Sequence, residues 1–430
     1  MPYNKSTIWH PFTQHGIAPD SIHINHAKGA YLYDKNGQRI IDAISSWWVI
    51  THGHCHPHIV SAVQAQAEKL DQVIFAGFTH DPAENLAEKL IRHTGEAFDH
   101  VFYSDSGSTA VEVALKMALG YWENKGQARQ KIIALEHGYH GDTFGAMSAG
   151  ARSIYNRAYD PFLFEVEHIT VPVSGQESAS FEMLERVLKA NKNNVACFIF
   201  EPLLQGAGGM NIYSPEALQT LCTMCRREDV FLIADEIMTG FGRTGSFLAC
   251  DKAGINPDIL CLSKGLTAGF LPMSATLCTR GIYDAFYSTD KSKMFFHSSS
   301  FTANPISCSA AVASLEIWEN ELVQSRIDEI SNSHETALKD FKARTDVENV
   351  RSLGTMLAFD IKAENSGYLS TIQPQLYDFF LRHNILLRPL GNTVYMLPPY
   401  CISKEDLEEI YETLHLALDS LRDERQQCAV

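Results

Sequence analysis

Between Val101 and Leu277 one pattern recurs: three to five mostly apolar residues, then a longer stretch with helical spacing. The runs are Val101-Phe-Tyr103, Lys131-Ile-Ile-Ala-Leu135, Ala196-Cys-Phe-Ile-Phe200, Val230-Phe-Leu-Ile-Ala234, Ile259-Leu-Cys-Leu262 and Ser274-Ala-Thr-Leu277. Short runs without polar alternation predict strands covered on both faces, and the helical stretches supply the cover. The pattern therefore predicts a largely parallel α/β sheet with helices on its faces. Ligands of such sheets gather beyond the carboxyl ends of the strands. Here those ends carry Ser106-Gly107-Ser108, Gly138-Tyr139, Glu201, Asp235 and Lys264.

Lys264 closes the apolar run that begins at Asp258 and leads into a turn bounded by Gly265 and Gly269. A lysine there is costly to bury as a cation, so it is paired, neutralised or used covalently, unless it snorkels to the surface. Asp235 ends its own apolar strand and asks for a cationic partner such as a protonated ring nitrogen. Ser104-Asp-Ser-Gly107-Ser108-Thr109 precedes a helical pattern, so its amides suit an anion such as phosphate; simple N-capping by Ser or Thr is the competing reading. Tyr139, in His137-Gly-Tyr-His-Gly-Asp142, offers a ring for stacking or merely for packing. Gly240-Phe-Gly-Arg-Thr-Gly245 matches a dinucleotide fingerprint, but Asp235 and Glu236 intervene after the strand and no long helix follows.

Composition narrows the field. A formal charge of −16 with no Lys/Arg block argues against nucleic acid or an anionic membrane as partner. The opening residues lack an apolar core of signal-peptide length, and no run approaches the ~20 residues of a spanning helix, so a cytoplasmic protein is expected. Most of the ten cysteines lie in apolar segments, among them Cys197, Cys261 and Cys278. Cys222-Thr-Met-Cys225 falls in a helical pattern, and His52-Gly-His-Cys-His-Pro-His58 reads as a turn; neither predicts a metal site.

The sequence divides into three parts. Residues 1–45 hold a hairpin at Tyr31–Tyr33 and Arg39–Ile41 that cannot stand alone and seeks the C-terminal region as partner. Residues 46–319 form the large domain, with helices from Pro57 and Pro82 before the sheet and a long helical pattern from Asn304. Residues 320–430 alternate strands at Met356–Asp360, Ile385–Arg388 and Thr393–Leu397 with helices, a smaller α+β domain.

A lysine for an aldehyde, a carboxylate for a pyridinium, a helix N-terminus for a phosphate and a ring for stacking are together what pyridoxal 5′-phosphate requires of a protein. Trp9-His-Pro-Phe-Thr13, Ser45-Ser-Trp-Trp48, Tyr103-Ser-Asp-Ser-Gly-Ser108, His137-Gly-Tyr-His-Gly-Asp-Thr143, Glu201-Pro-Leu-Leu-Gln-Gly-Ala-Gly-Gly209, Ala234-Asp-Glu-Ile237 and Leu387-Arg-Pro-Leu390 resemble the class III aminotransferases of fold type I. The resemblance implies a seven-stranded, mainly parallel sheet and a ping-pong transamination between an amino donor and a keto acid. It implies Lys264 as the catalytic residue bonded to the cofactor, Asp235 at the pyridine nitrogen, Gly107 and Ser108 at the phosphate, and Tyr139 stacked on the ring. Ser299 and Ser300 would complete the phosphate site from the neighbouring subunit of a homodimer with shared active sites. Phe12, Trp47, Ser298 and Arg388 would join Tyr139 and Lys264 around substrate, Arg388 taking its carboxylate and the Trp pair lining a wall for an aliphatic chain. Three departures stand out: Ser298-Ser-Ser300 replaces the family's Gly-Pro-Thr, Phe12 replaces a tyrosine, and Ala207-Gly208 lacks the acid that often pairs with the arginine.

Overall fold

In the computed structural model, which describes residues 7–362, 370 and 372–428, the recurring pattern becomes a seven-stranded sheet. Its spatial order is His100–Ser104, Ser274–Cys278, Ile259–Leu262, Phe231–Asp235, Val195–Phe200, Lys131–Leu135, Glu167–Ile169. Ser274–Cys278 runs antiparallel to both of its neighbours, and the other pairings are parallel. The strand absent from the sequence expectation is Glu167–Ile169. It is a three-residue edge strand in which only Ile169 is buried, so it carries no apolar run to read.

Side chains alternate between the two faces of this sheet. Ile199, Ile233, Ile259 and Cys261 pack with Ala110, Val113 and Ala114 of helix Gly107–Asn124. Phe198, Phe200, Leu232 and Leu260 point the other way, onto Leu86, Leu184, Leu218 and Leu221 from helices Asp81–His93, Glu177–Ala190 and Pro215–Arg227. Cys222 and Cys225 are part of that second core as free thiols. Double coverage is why Val195–Phe200 is apolar at every position.

Strands Ile24–Lys28, Tyr31–Asp34 and Arg39–Asp42 form an antiparallel ribbon, and the last of them pairs in parallel with Ile385–Leu386. Strands Val347–Leu353, Met356–Ile361 and Thr393–Met396 form another sheet, covered by helices Val323–Lys342 and Lys404–Cys428. The helical pattern that opens at Asn304 is two helices, Pro305–Asn320 and Val323–Lys342. They are separated where Glu321 turns extended and its carboxylate meets His56 and Arg326.

The dinucleotide-like segment is a brace. Gly242 has φ 93°, and a Cβ there would lie 2.4 Å from Ile327 Cδ1. The buried Arg243 guanidinium donates to the carbonyls of Pro398, Trp48 and Ile50. The histidine turn is likewise dispersed: His54 meets Asp42, His56 meets Glu321 and His58 meets Glu316, while His52 is buried among the rings of His56, Trp318 and Tyr400.

Phe198 is fully buried beneath the centre of the sheet. Phe198→Ala is expected to cost about 3–5 kcal/mol, read from the shift of the denaturant midpoint. A loss below about 1 kcal/mol would place the core elsewhere.

Candidate active site

The strand ends converge as the sheet requires. Lys264 follows strand Ile259–Leu262 and opens the tight turn Lys264–Thr267 at φ 47°, a left-handed conformation that costs a non-glycine residue of order 1–3 kcal/mol. The turn is held by the Ser263 hydroxyl donating to Met273 O at 2.7 Å, and by Gly265, whose Cβ would stand 2.9 Å from Phe241 Cβ. Desolvation lowers the Lys264 amine to about 8, against the opposing charges of Asp235 and Glu201. Its Nζ lies 4.7 Å from the centre of the Trp48 ring.

Asp235 ends the next strand and is 3% exposed. Its Oδ2 meets His140 Nδ1 at 2.7 Å, and its Oδ1 accepts the Ile237 N–H at 3.1 Å. Burial disfavours the His140 imidazolium, but the Asp235 hydrogen bond and charge, with the charge of Glu201, outweigh it and raise the histidine. Glu201 ends the strand beyond and accepts the N–H groups of Tyr139 and Gly206, each at 3.0 Å. Burial chiefly, with help from Asp235, pushes its carboxyl up to about 7.

The fourth wall is the start of helix Gly107–Asn124. Ser106 caps it, its hydroxyl accepting from Thr109 N–H and Thr109 Oγ1 accepting from Ser106 N–H. The cap thus belongs to Ser106, which leaves Gly107 and Ser108 to line the pocket at the positive end of the helix. A Cβ on Gly107 would stand 2.9 Å from Ile237 Cγ2, and one on Gly141 would overlap Ser108 Oγ. Glycine at both positions lets Ile237 and Ser108 pack closely around the helix start.

Gly107, Ser108, Tyr139, Asp235 and Lys264 enclose a pocket of about 150 Å³ together with Trp48, His140 and Glu201. A second pocket of about 280 Å³ shares Tyr139 and His140 and extends past Asp142, Tyr155 and Leu390. A cavity of about 720 Å³ beside His52 and Cys401 holds none of these groups.

Phe12, Trp47 and Arg388 meet in an outer cluster. The Phe12 ring is 5.6 Å from Trp47 and 6.0 Å from Tyr155, and Arg388 lies 5.7 Å from the rings of both Trp47 and Tyr377. Arg388 donates to Phe12 O at 3.1 Å, and among the described residues no carboxylate pairs with it. Ser298, Ser299 and Ser300 do not line the pocket of their own chain. Ser299 Oγ donates to Asp105, Ser300 O accepts from Gln72, and Ser298 is exposed.

A family model described as Aminotransferase class-III matches residues 13–418. This chain belongs to the class-III aminotransferase family. Its relatives include the adenosylmethionine-8-amino-7-oxononanoate aminotransferases of Synechococcus elongatus, 45% identical over 96% of this chain and 99% of that one, and of Helicobacter pylori, 39% identical over 96% of each. Among solved structures, the enzyme of that name from Methanocaldococcus jannaschii superposes with TM-score 0.92 at 34% identity, covering 97% of this chain and 98% of that one. An amine transaminase from an uncultivated Pseudomonas species, in its PLP-bound form, superposes with TM-score 0.91 at 29% identity, covering 97% and 100%.

For this class-III aminotransferase the sequence reading put both tryptophans in one wall, whereas Trp48 is buried against Lys264 and Trp47 faces outward; it gave no role to His140 or Glu201. Glu201 stood at a strand end and could have been found by that position. The His140–Asp235 contact spans 95 residues and left no local signal.

The depressed lysine has a direct consequence. The reactive form is the neutral amine, so in cofactor-free protein Lys264 labelling by an amine-reactive probe, followed by peptide mass spectrometry, should rise through about pH 8. A rise only near the ordinary lysine value of 10.5 would contradict the desolvated site.

Proposed function

We propose that this aminotransferase converts 8-amino-7-oxononanoate to 7,8-diaminononanoate, a step of biotin synthesis, with S-adenosylmethionine as amino donor and pyridoxal 5′-phosphate as cofactor. The observation that carries the reading is the meeting of Lys264, Asp235 and the Gly107–Asn124 helix start in one pocket. End-to-end similarity to the Synechococcus relative supports the choice of substrates.

The residues fit the cofactor: a glycine cradle at a helix N-terminus suits its phosphate, and a buried carboxylate suits its ring nitrogen. Pyridoxal phosphate, when bound, supplies a ring that holds the electron pair left as the donor C–H bond breaks. Lys264 would provide the amine that holds the cofactor at its aldehyde carbon and, as a free amine, would carry a proton at Nζ between the substrate's Cα and the cofactor, in one direction for the donor and in the other for the keto acid. Asp235, fixed by His140, would keep the ring nitrogen protonated, and Tyr139 would stack on the ring. Trp47 and Phe12 flank the acceptor's aliphatic chain, while Arg388 clamps its carboxylate.

Ser298, Ser299 and Ser300 reach substrate and phosphate from a second copy in a homodimer. Exposed apolar side chains support that assembly: Phe296 at 63% and Phe301 at 62% bracket the serines, with Ile74 at 66% and Phe78 at 61%. The division into residues 1–45, 46–319 and 320–430 and a cytoplasmic location belong to the same reading. Among the described residues no helix is long and apolar enough to cross a membrane.

Phe12 lacks a hydroxyl and, among the described residues, no acid pairs with Arg388, which favours a second reading: lysine as donor, or a broader ω-amino or diamine transaminase. Mixing holoenzyme with each donor alone and following the cofactor absorption decides between them. S-adenosylmethionine should convert the band in a single turnover, and conversion by lysine or a diamine alone would select the second reading. Arg388→Ala is expected to lower keto-acid kcat/KM about 10- to 150-fold, the loss of a charge-assisted contact worth ~1.5–3 kcal/mol. Unchanged keto-acid turnover would remove Arg388 from the site.

A further inference from the structure

The segment that presents both tryptophans is strained. Ser45, Ser46 and Trp48 have φ of 54°, 58° and 65°, and Ser46 combines its positive φ with ψ −96°. Side chains other than glycine rarely adopt such a backbone, so the turn persists only where its surroundings hold it. The buried Asp42 carboxylate accepts the Ser46 N–H at 2.9 and 2.7 Å and the Ile44 N–H at 3.3 Å. His54 Nε2 lies 2.8 Å from Asp42 Oδ2 and is the ring that faces this carboxylate. His54 is itself fixed, its backbone exchanging hydrogen bonds with Gly29 at 2.7 and 3.1 Å.

The far side of the turn points into the site. Trp48 lies over Lys264 and Trp47 lies against Phe12 and Arg388. Asp42 also sits opposite Leu386 in the strand pairing that leads to Arg388. A single buried carboxylate thus touches the backbone that aims the aromatic wall and adjoins the strand that delivers the arginine.

We infer that Asp42, oriented by His54, is a positioning residue that holds the Ser45–Trp48 turn in its strained shape and so sets the acceptor-binding wall of Trp47 and Trp48. The inference rests on the transaminase reading for its kinetic test and on the bare chain for its structural one. Asp42→Asn removes the charge and turns one of the two acceptor oxygens into a donor, so the N–H groups of Ile44, Ser46 and His54 are left with a single neutral acceptor. The clamp on the turn is thereby weakened while the side chain's shape and volume are nearly kept.

In holoenzyme, Asp42→Asn is expected to raise the KM for the keto acid about tenfold or more, with a much smaller fall in kcat, as loss of a hydrogen bond to a charged group predicts. The near-ultraviolet circular dichroism of the cofactor-free protein, which reports the tryptophan environment, should change in parallel. His54→Phe should move both readouts the same way by less, and His54→Gln, which keeps an N–H donor, should stay near wild type. Ser46→Gly in the Asp42→Asn background should restore much of the KM, because glycine reaches the same backbone angles without strain. If Asp42→Asn and His54→Phe leave both the keto-acid KM and the dichroism at wild-type values, the inference is overturned. It is equally overturned if activity merely follows the melting temperature and Ser46→Gly restores nothing. A wild-type enzyme inactive with the keto acid would instead defeat the functional reading, leaving the dichroism and its Ser46→Gly rescue to decide the inference.

Discussion

Two buried carboxylates, Asp235 and Glu201, share one enclosed patch with His140 and Lys264. Removing each ion from water costs several kcal/mol, and a contact at ~4 Å in an effective dielectric near 20 returns about 4 kcal/mol. The cluster therefore contributes little to folding, and breaking it from one side would strand a charge. Its value is chemical, because the same desolvation that brings Lys264 down to about 8 brings Glu201 up to about 7. The sheet makes this possible by burying four neighbouring strands on both faces and releasing their ends into one pocket.

Around that patch the chain arranges two kinds of support. The inner walls rest on rigid elements, the Gly107–Asn124 helix and the strands, which fix the anion cradle and the acid that faces it. The outer wall rests on the junction between the N-terminal ribbon and the C-terminal sheet. There Asp42 pairs beside Leu386, Leu397 N–H donates to Ala43 O, and Trp48 Nε1 donates to the Tyr395 hydroxyl at 2.9 Å. Arg243 ties this junction to the large sheet through the Trp48 and Pro398 carbonyls. On the proposed reading, cofactor chemistry and substrate choice fall to different parts of the fold, joined at the tryptophan turn.

The sheet was legible because double burial removes polar residues from whole strands, as at Val195–Phe200, and Lys264 and Asp235 were legible because each interrupts such a run. The edge strand Glu167–Ile169 and the polar strand Ile24–Lys28 were not, since their backbones pair while all of their side chains but Ile169 stay in contact with water. The Gly240–Gly245 segment misleads for a physical reason: its Gly242 allows close approach of Trp318 and Ile327 where the fingerprint would have a pyrophosphate. Which tryptophan of the pair faces Lys264 depends on left-handed backbone at Ser45, Ser46 and Trp48, and no periodicity encodes that. Arg243 acts on carbonyls 155 to 195 residues away, and Asp42 acts on a turn whose left-handed backbone no pattern encodes, so their roles emerge only once the chain is folded.

The central claim is that Lys264 is the residue bonded to the cofactor in the resting enzyme. Borohydride reduction of the coloured protein as purified fixes that bond, and peptide mass mapping then locates it. The account predicts a single cofactor-mass adduct on Lys264. An adduct on any other lysine, or none on Lys264 in protein that visibly holds the cofactor, would contradict it.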